Sequence, residues 1–223
     1  MCFSASSSFG AGIVLTVIGA ASIKKVSHPS HLLFAGIPLI FGVQQIAEGI
    51  LWITLPNNGF LMTQRIFTFI FLSFAQTVWP IWVPIAVMLL EKNTTRKNIQ
   101  KVLIGAGLLV GVYLSYCLLM FHVEAKIVGH HITYVQNYPS SPRNFGFVLY
   151  GMATILPPFF SHIKRMWMLG VSISISYIIT AIFYEHYILS VWCFFSSIIS
   201  LSVYAIMIEI SNTQRQKHFS IIC

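Results

Sequence analysis

One carboxylate stands inside an apolar stretch of the sequence, where burying it is costly. Glu48 lies in a run that is otherwise largely apolar over residues 32–55. Ionisable groups in such places are rare and usually functional. Gln44, Gln45 and Trp52 are spaced three or four residues from it, so on a helix they share its face. We interpret Glu48 as a catalytic residue and the other three as substrate-binding residues; the alternative is a protonated structural carboxyl among interhelical hydrogen bonds.

Cys2 is a second candidate for chemistry because of its position. Removal of Met1 would leave a free α-amine beside the thiol. Such an aminothiol can chelate a soft metal, or it can act as an N-terminal nucleophile with its own amine as the base. The alternatives are a small apolar residue at a helix start and a disulfide with Cys193.

Other metal-capable and polar side chains lie near the ends of apolar runs. Three or four ligands suffice for zinc, and a thiolate-rich subset suits copper. The tryptophans have the alternative of being interfacial belt residues. We predict catalytic roles for Glu48, Cys2 and Glu185, substrate contacts from Gln44, Gln45, Trp52, Tyr134 and Trp192, and metal ligands among Cys2, Glu48, His130, His131, His186 and Cys193.

Composition defines the elements that must position these residues. The chain has 223 residues, of which 57% are hydrophobic and 8% charged, whereas soluble domains carry about 25% charged residues. Repeated apolar runs of about 20 residues predict membrane-spanning helices. The net charge of +8 comes from short loops between these runs, so the expected partner is the lipid bilayer and not nucleic acid.

We predict an all-α transmembrane bundle that forms one domain over residues 1–223, with a polar cytoplasmic tail at 211–223. The first run lacks a basic start and a small-residue cleavage site, so it is interpreted as a retained helix. Pro80 and Pro84 should kink the third span, and Gly107 and Gly111 form a packing motif in the fourth. The seven predicted spans are 6–23, 31–55, 64–90, 102–121, 145–162, 167–184 and 189–210, with a short β-hairpin turning at Gly129 in the outer loop 122–143.

Lysine and arginine are distributed unevenly between the two sides of this bundle. Ten lie on one side, and only Arg65, Lys126 and Arg143 lie on the other. The positive-inside rule then places the N-terminus outside and the C-terminus in the cytoplasm. Glu48 would lie on the order of 10 Å below the outer surface. The candidate residues from the N-terminus, the hairpin and the last two spans would converge at the same level.

Five short motifs are distributed along the chain. They are the opening Met1-Cys2-Phe3-Ser4-Ala5, Gln44-Gln45-x-x-Glu48-Gly49-x-x-Trp52, Trp79-Pro80-x-Trp82-Val83-Pro84, His131-Ile132-x-Tyr134 and Ser190-Val191-Trp192-Cys193-Phe194-Phe195. These motifs resemble those of a family of small bacterial membrane proteins of unknown function, whose members begin Met-Cys-Phe-Ser-Ala-x-Ala-Ser-Phe. The resemblance implies a multi-span protein of the bacterial cytoplasmic membrane and no particular activity.

Three functions are compatible with these patterns. The first is an outward-facing site inside the bundle that binds zinc or copper and hydrolyses a lipid-like substrate. The second is a small proton-coupled transporter in which Glu48 titrates and the proline-containing third span moves. The third is a sensor or assembly factor without chemistry of its own.

Overall fold

Helices account for most of the chain in the computed structural model, which describes residues 4–139, 143–183 and 188–222. Short 3₁₀ turns at Pro29–His31, Asn58–Phe60 and Pro157–Phe160 join some of them, and a π-helical stretch, Ser73–Val78, separates α4 from α5. The α-helices are α1 (Ala5–Ile23), α2 (Leu32–Ala35), α3 (Ile37–Thr54), α4 (Leu61–Leu72), α5 (Trp79–Leu90), α6 (Thr94–Met120), α7 (Arg143–Ile155), α8 (Met166–Phe183) and α9 (Ile188–Ile222).

The described helical segments include five that are long and apolar enough to cross a membrane. They are Ala5–Ile23, Pro29–Thr54, Asn58–Leu90, Thr94–Met120 and Phe195–Gln214. The predicted class, a helical membrane protein, is therefore confirmed. Shorter apolar helices at Gly146–Ile155 and Met166–Thr180 lie where the fifth and sixth spans were expected, so the number seven stays a prediction.

Two predicted boundaries differ from the structure. The fifth span was expected to run over 145–162, but α7 ends at Ile155 and Pro157 and Pro158 begin a 3₁₀ turn. Proline has no amide hydrogen to continue an α-helix. The seventh span was expected to end at residue 210, but α9 continues as a helix to Ile222, through most of the predicted polar tail, where glutamine, arginine and lysine favour helix.

Small residues let α1 and α3 pack closely. A methyl group on Gly19 would lie 2.6 Å from Leu39 Cγ, and one on Gly12 would lie 2.9 Å from Ile46 Cγ1. Glycines at such seams are how apolar helices approach one another in a membrane, where no hydrophobic force drives them together. This contact orients α3 about its own axis and so determines which of its side chains face inward.

The prolines of the predicted third span lie in α5, directly after a stretch of irregular backbone. Within the π-helical stretch, the Trp79 amide bonds to the Phe74 carbonyl, five residues back. Pro84 lacks the N–H that would otherwise bond to the Pro80 carbonyl. A methyl group on Gly107 of α6 would lie 1.9 Å from that carbonyl oxygen. The predicted packing glycine therefore lies directly against the helical turn from Pro80 to Pro84.

A two-stranded hairpin follows α6, as the sequence predicted. Strands β1 (Val123–Val128) and β2 (His131–Gln136) are antiparallel, with Val128 opposite His131. Gly129 has φ +62°, a conformation that tight hairpin turns need and that glycine adopts without steric cost. The hairpin packs on the bundle, where Leu51 of α3 forms a buried cluster with Ala125 and Ile132.

Candidate functional site

A polar face of α3 is turned into the interior of the bundle. Gln45 and Glu48 are fully buried and Gln44 is 1% exposed, while Trp52, one turn further along, is half-buried. Helix α3 contacts α1 on one side and also packs against α4 and α9. The face predicted from residue spacing is therefore a buried face, and it is the centre of the candidate site.

Gln44 is oriented by a tryptophan of α5. The Trp79 indole Nε1 donates a hydrogen bond to Gln44 Oε1 at 2.9 Å, and the Trp79 ring stacks on Phe41 with centroids 4.0 Å apart. An indole N–H only donates, so the amide oxygen must face it and the amide nitrogen must face away. That nitrogen is buried and has no hydrogen-bond partner among the residues that the structure describes.

Two tyrosines form hydrogen bonds to the π-helical stretch near Gln44. The Tyr138 hydroxyl donates to Gln76 Oε1 at 3.0 Å, and the Tyr150 hydroxyl donates to the Ala75 carbonyl at 2.5 Å. Burial raises the pKa of Tyr138 to about 12, so its phenol keeps its proton and remains a donor at neutral pH. The sequence analysis did not single out Gln76 or either tyrosine, because only the tertiary fold brings them together.

The hairpin places His131 and Tyr134 at the end of α3 that follows Glu48. The Tyr134 ring stacks on Phe71 of α4 with centroids 4.6 Å apart, and Trp52 packs in the same cluster as Ile132. Burial, and next the positive charges nearby, His130 among them, lower the pKa of His131. Its imidazole is therefore neutral at pH 7, the form that binds metals. His130, at the turn, is exposed.

The remaining predicted site residues lie outside the residues or side chains that the structure describes. Cys2, Glu185 and His186 fall outside the described ranges, and of Trp192 and Cys193 only the helical backbone is described. Within 4–139, 143–183 and 188–222, no three His, Cys, Asp or Glu side chains form a group that could hold a metal ion. Metal ligation and a Cys2–Cys193 disulfide stay predictions.

A second buried carboxylate, which the sequence analysis missed, lies directly after the C-terminal end of α5. Glu91 is 2% exposed; its Oε1 accepts from the His162 amide at 3.0 Å, and its Oε2 lies 2.8 Å from His162 Nδ1. The neighbouring turn is held by Gln100, which donates to the Pro157 carbonyl at 2.9 Å. No sequence pattern links residues this far apart. A carboxylate directly after an apolar span was the available signal.

A cavity that is partly open to the outside adjoins the Gln44–Trp79 pair. Its volume is about 50 Å³, counted as the space in which the centre of a water molecule can lie, and most of its lining is apolar. The polar side chains on its wall are Gln44, Tyr150 and Thr154, and Ile173 of α8 and Ile199 of α9 form part of the apolar wall. It therefore lies between helices from both halves of the chain.

Apolar helices long enough to span a bilayer, with buried amides and carboxylates between them, define a polytopic helical membrane protein. The chain belongs to a family of unknown function, DUF6629, which matches residues 1–218. This agrees with the resemblance, drawn from the motifs, to a family without an assigned activity. Neither a curated protein nor a solved structure matches the chain.

Proposed function

We propose that this protein has an outward-facing polar site inside its helix bundle, beneath the hairpin, which binds a metal ion and hydrolyses a lipid-like substrate. The observation that carries this is the burial of Glu48 in the helix end that the hairpin covers. Leu51, three residues after Glu48, packs against Ala125 and Ile132 of the hairpin, and His131 adjoins Ile132. Glu48 and His131, whose Nδ1 atom is buried, therefore belong to two elements that pack together at one end of the bundle.

The proposed ligands are Glu48 and His131, completed from Cys2, His186 and Cys193. The exposure of His130 favours its neighbour His131 as the ligand from the hairpin. Zinc or copper suits such a set of oxygen, nitrogen and sulfur donors. A metal-bound water would provide the hydrolytic nucleophile, with Glu185 as general base where Glu48 is a ligand, or with Glu48 as general base where the other residues hold the metal.

We also propose seven spans, with the N-terminus outside, in the bacterial cytoplasmic membrane. Helix α7 together with the 3₁₀ turn Pro157–Phe160 would supply the fifth span, and α8 (Met166–Phe183) would supply the sixth. An odd number of spans agrees with the charge asymmetry of the loops. In this orientation the hairpin and the Glu48 end of α3 face outward, and the Glu91–His162 pair faces the cytoplasm.

Elemental analysis of the detergent-purified protein tests the metal site. Wild type should contain near-stoichiometric zinc or copper, and Glu48→Gln, Cys2→Ser and His131→Ala should lose most of it. Glu91→Gln, which alters the buried carboxyl outside the site, and His130→Ala, which alters the exposed neighbour, are matched controls that should keep the metal. A folded wild type without metal, or Glu48→Gln with wild-type metal content, would refute the proposal.

A proton-coupled transporter is the second candidate, and the polar groups along the third span favour it. The span contains a π-helical stretch (Ser73–Val78) in its middle, and the buried Glu91 follows its end; π-helical segments often mark functional sites in helices. Glu48 would bind the proton near the outer side. Proteoliposomes should then show pH-driven solute uptake that Glu48→Gln abolishes, and uptake that is unchanged in this variant would exclude Glu48 as the coupling group.

A further inference from the structure

The cavity beside Trp79 has a polar group that the fold does not satisfy. Trp79 Nε1 takes the oxygen of the Gln44 amide, and the Gln44 Nε2 atom is buried without a hydrogen-bond partner among the described residues. A buried amide donor that makes no hydrogen bond costs about 1–3 kcal/mol. Because Gln44 also lines the cavity, a molecule in the cavity can accept this hydrogen bond.

The other polar groups on the wall already donate within the protein. The Tyr150 hydroxyl donates to the Ala75 carbonyl, and the Thr154 hydroxyl donates to the Tyr150 carbonyl at 2.8 Å. The rest of the lining consists of aliphatic and aromatic side chains such as Phe41, Val83 and Ile173. An apolar wall with a single free donor is typical of a site for an apolar ligand whose orientation one polar group determines.

We propose that this cavity binds an apolar molecule through a single carbonyl oxygen, which accepts a hydrogen bond from Gln44 Nε2. The cavity volume of about 50 Å³ exceeds the roughly 10–15 Å³ that one water molecule needs, so it has room for the carbonyl group and the atoms next to it, while the rest of the ligand would extend through the open side of the cavity. In a membrane, the same chemistry is offered by the acyl ester of a lipid and by the ring of a quinone.

Binding here does not depend on the metal site. Gln44 was predicted from the sequence as a substrate-binding residue, and the cavity now gives the chemistry that it would recognise. The metal content of the cavity variants is expected to equal that of wild type, so failure of the metal site and failure of this binding site are distinguishable.

Thermal unfolding with a matched pair of small molecules tests the binding. Cyclohexanone and methylenecyclohexane have nearly the same shape, but only the ketone accepts a hydrogen bond. At tenfold excess over its Kd, cyclohexanone should raise the Tm of wild type by about 3–5 °C, and methylenecyclohexane should raise it by less. Gln44→Leu should remove this difference.

Two further variants separate the ligand's hydrogen bond from general damage to the site. Trp79→Phe keeps the Gln44 amide but removes the indole donor that orients it, so the preference for the ketone should be smaller than in wild type but should not disappear. Ile173→Trp, or Ile199→Phe if the first variant does not fold, should fill the cavity and abolish both Tm increases. Equal effects of the two compounds on wild type, or a ketone preference that persists in Gln44→Leu, would overturn the proposal.

Mass spectrometry of solvent extracts identifies the natural occupant. An acyl-ester lipid or a quinone enriched in wild type over Ile173→Trp would support binding in the cavity and would distinguish the two sources. Equal amounts of every carbonyl compound in both extracts would mean that only surface lipid is bound, and this would refute natural occupancy of the cavity.

Discussion

At the scale of single residues, two hydrogen-bonded pairs that include buried polar side chains join distant parts of this protein. Trp79 gives its indole hydrogen to Gln44, and Glu91 accepts from both the amide and the ring of His162. Each pair joins segments that are distant in sequence. A polar group buried without its partner loses hydration and gains nothing in return, so these pairs should contribute measurably to stability.

Trp79→Phe should destabilise the protein by about 1–3 kcal/mol, because it leaves the oxygen of a buried amide without its donor. Unfolding by denaturing detergent in mixed micelles measures the change. Trp167→Phe is the control, since Trp167 is 58% exposed. Equal losses in the two variants would contradict a special role for the Trp79–Gln44 bond.

The Glu91–His162 pair should show an energetic coupling of about 1 kcal/mol or more in a double-mutant cycle, because the Glu91 side chain is fully buried. The variants are Glu91→Gln, His162→Ala and the two combined, with the free energy of unfolding as the readout. The exposed pair Glu124–Lys126, joined at 2.9 Å, is the control, and its coupling should be below about 1 kcal/mol. A Glu91–His162 coupling no larger than that of Glu124–Lys126 would show that the buried pair stabilises the protein no more than an exposed pair does.

At the scale of elements, the contact between α5 and α6 depends on one position without a side chain. A methyl group on Gly107 would lie 1.9 Å from the Pro80 carbonyl oxygen, whereas one on Gly105 would have nothing within 4 Å. The backbone oxygen cannot rotate away as the end of a flexible side chain can. A side chain at position 107 would therefore either push the two helices apart or shift the helical turn from Pro80 to Pro84.

Gly107→Ala should therefore lower stability by roughly 2 kcal/mol or more, the cost of overpacking a fixed interface. Gly105→Ala, two residues away in the same helix, should be neutral or stabilise by up to about 1 kcal/mol, because alanine favours helix over glycine. Thermal unfolding of the two variants compares them directly. If both variants behave alike, the close approach at Pro80 does not occur.

The sequence predicted some elements better than others, for physical reasons. Hydropathy and alternation depend on local sequence, so they located the apolar helices, the turn at Gly129 and the inward face of α3 that carries Glu48. The π-helical stretch, the early end of α7 and the Gln76–Tyr138 bond depend on how distant segments pack. The same limit applies to Glu91 and His162, which are 71 residues apart and share no local pattern.

At the scale of the whole molecule, the orientation in the membrane is the feature with the most direct test. Lys97 precedes the apolar part of α6, and Lys126 lies in the hairpin after it; both are exposed. In the proposed orientation, a membrane-impermeant maleimide should label Lys126→Cys in intact cells and should not label Lys97→Cys until the membrane is opened. Wild type gives the background from its four native cysteines, and the reverse pattern would invert the proposed topology.

The hairpin also has a consequence for how the protein is made. It is synthesised after α6, yet it packs on Leu51 of α3 and Phe71 of α4, which leave the ribosome much earlier. In the proposed orientation, the end of α3 that carries Glu48 stays uncovered until the chain beyond α6 has crossed the bilayer. During biogenesis, therefore, Glu48 is not covered until the hairpin has been made. The partly inserted chain in that interval is the intermediate that most needs protection by the insertion machinery or by chaperones.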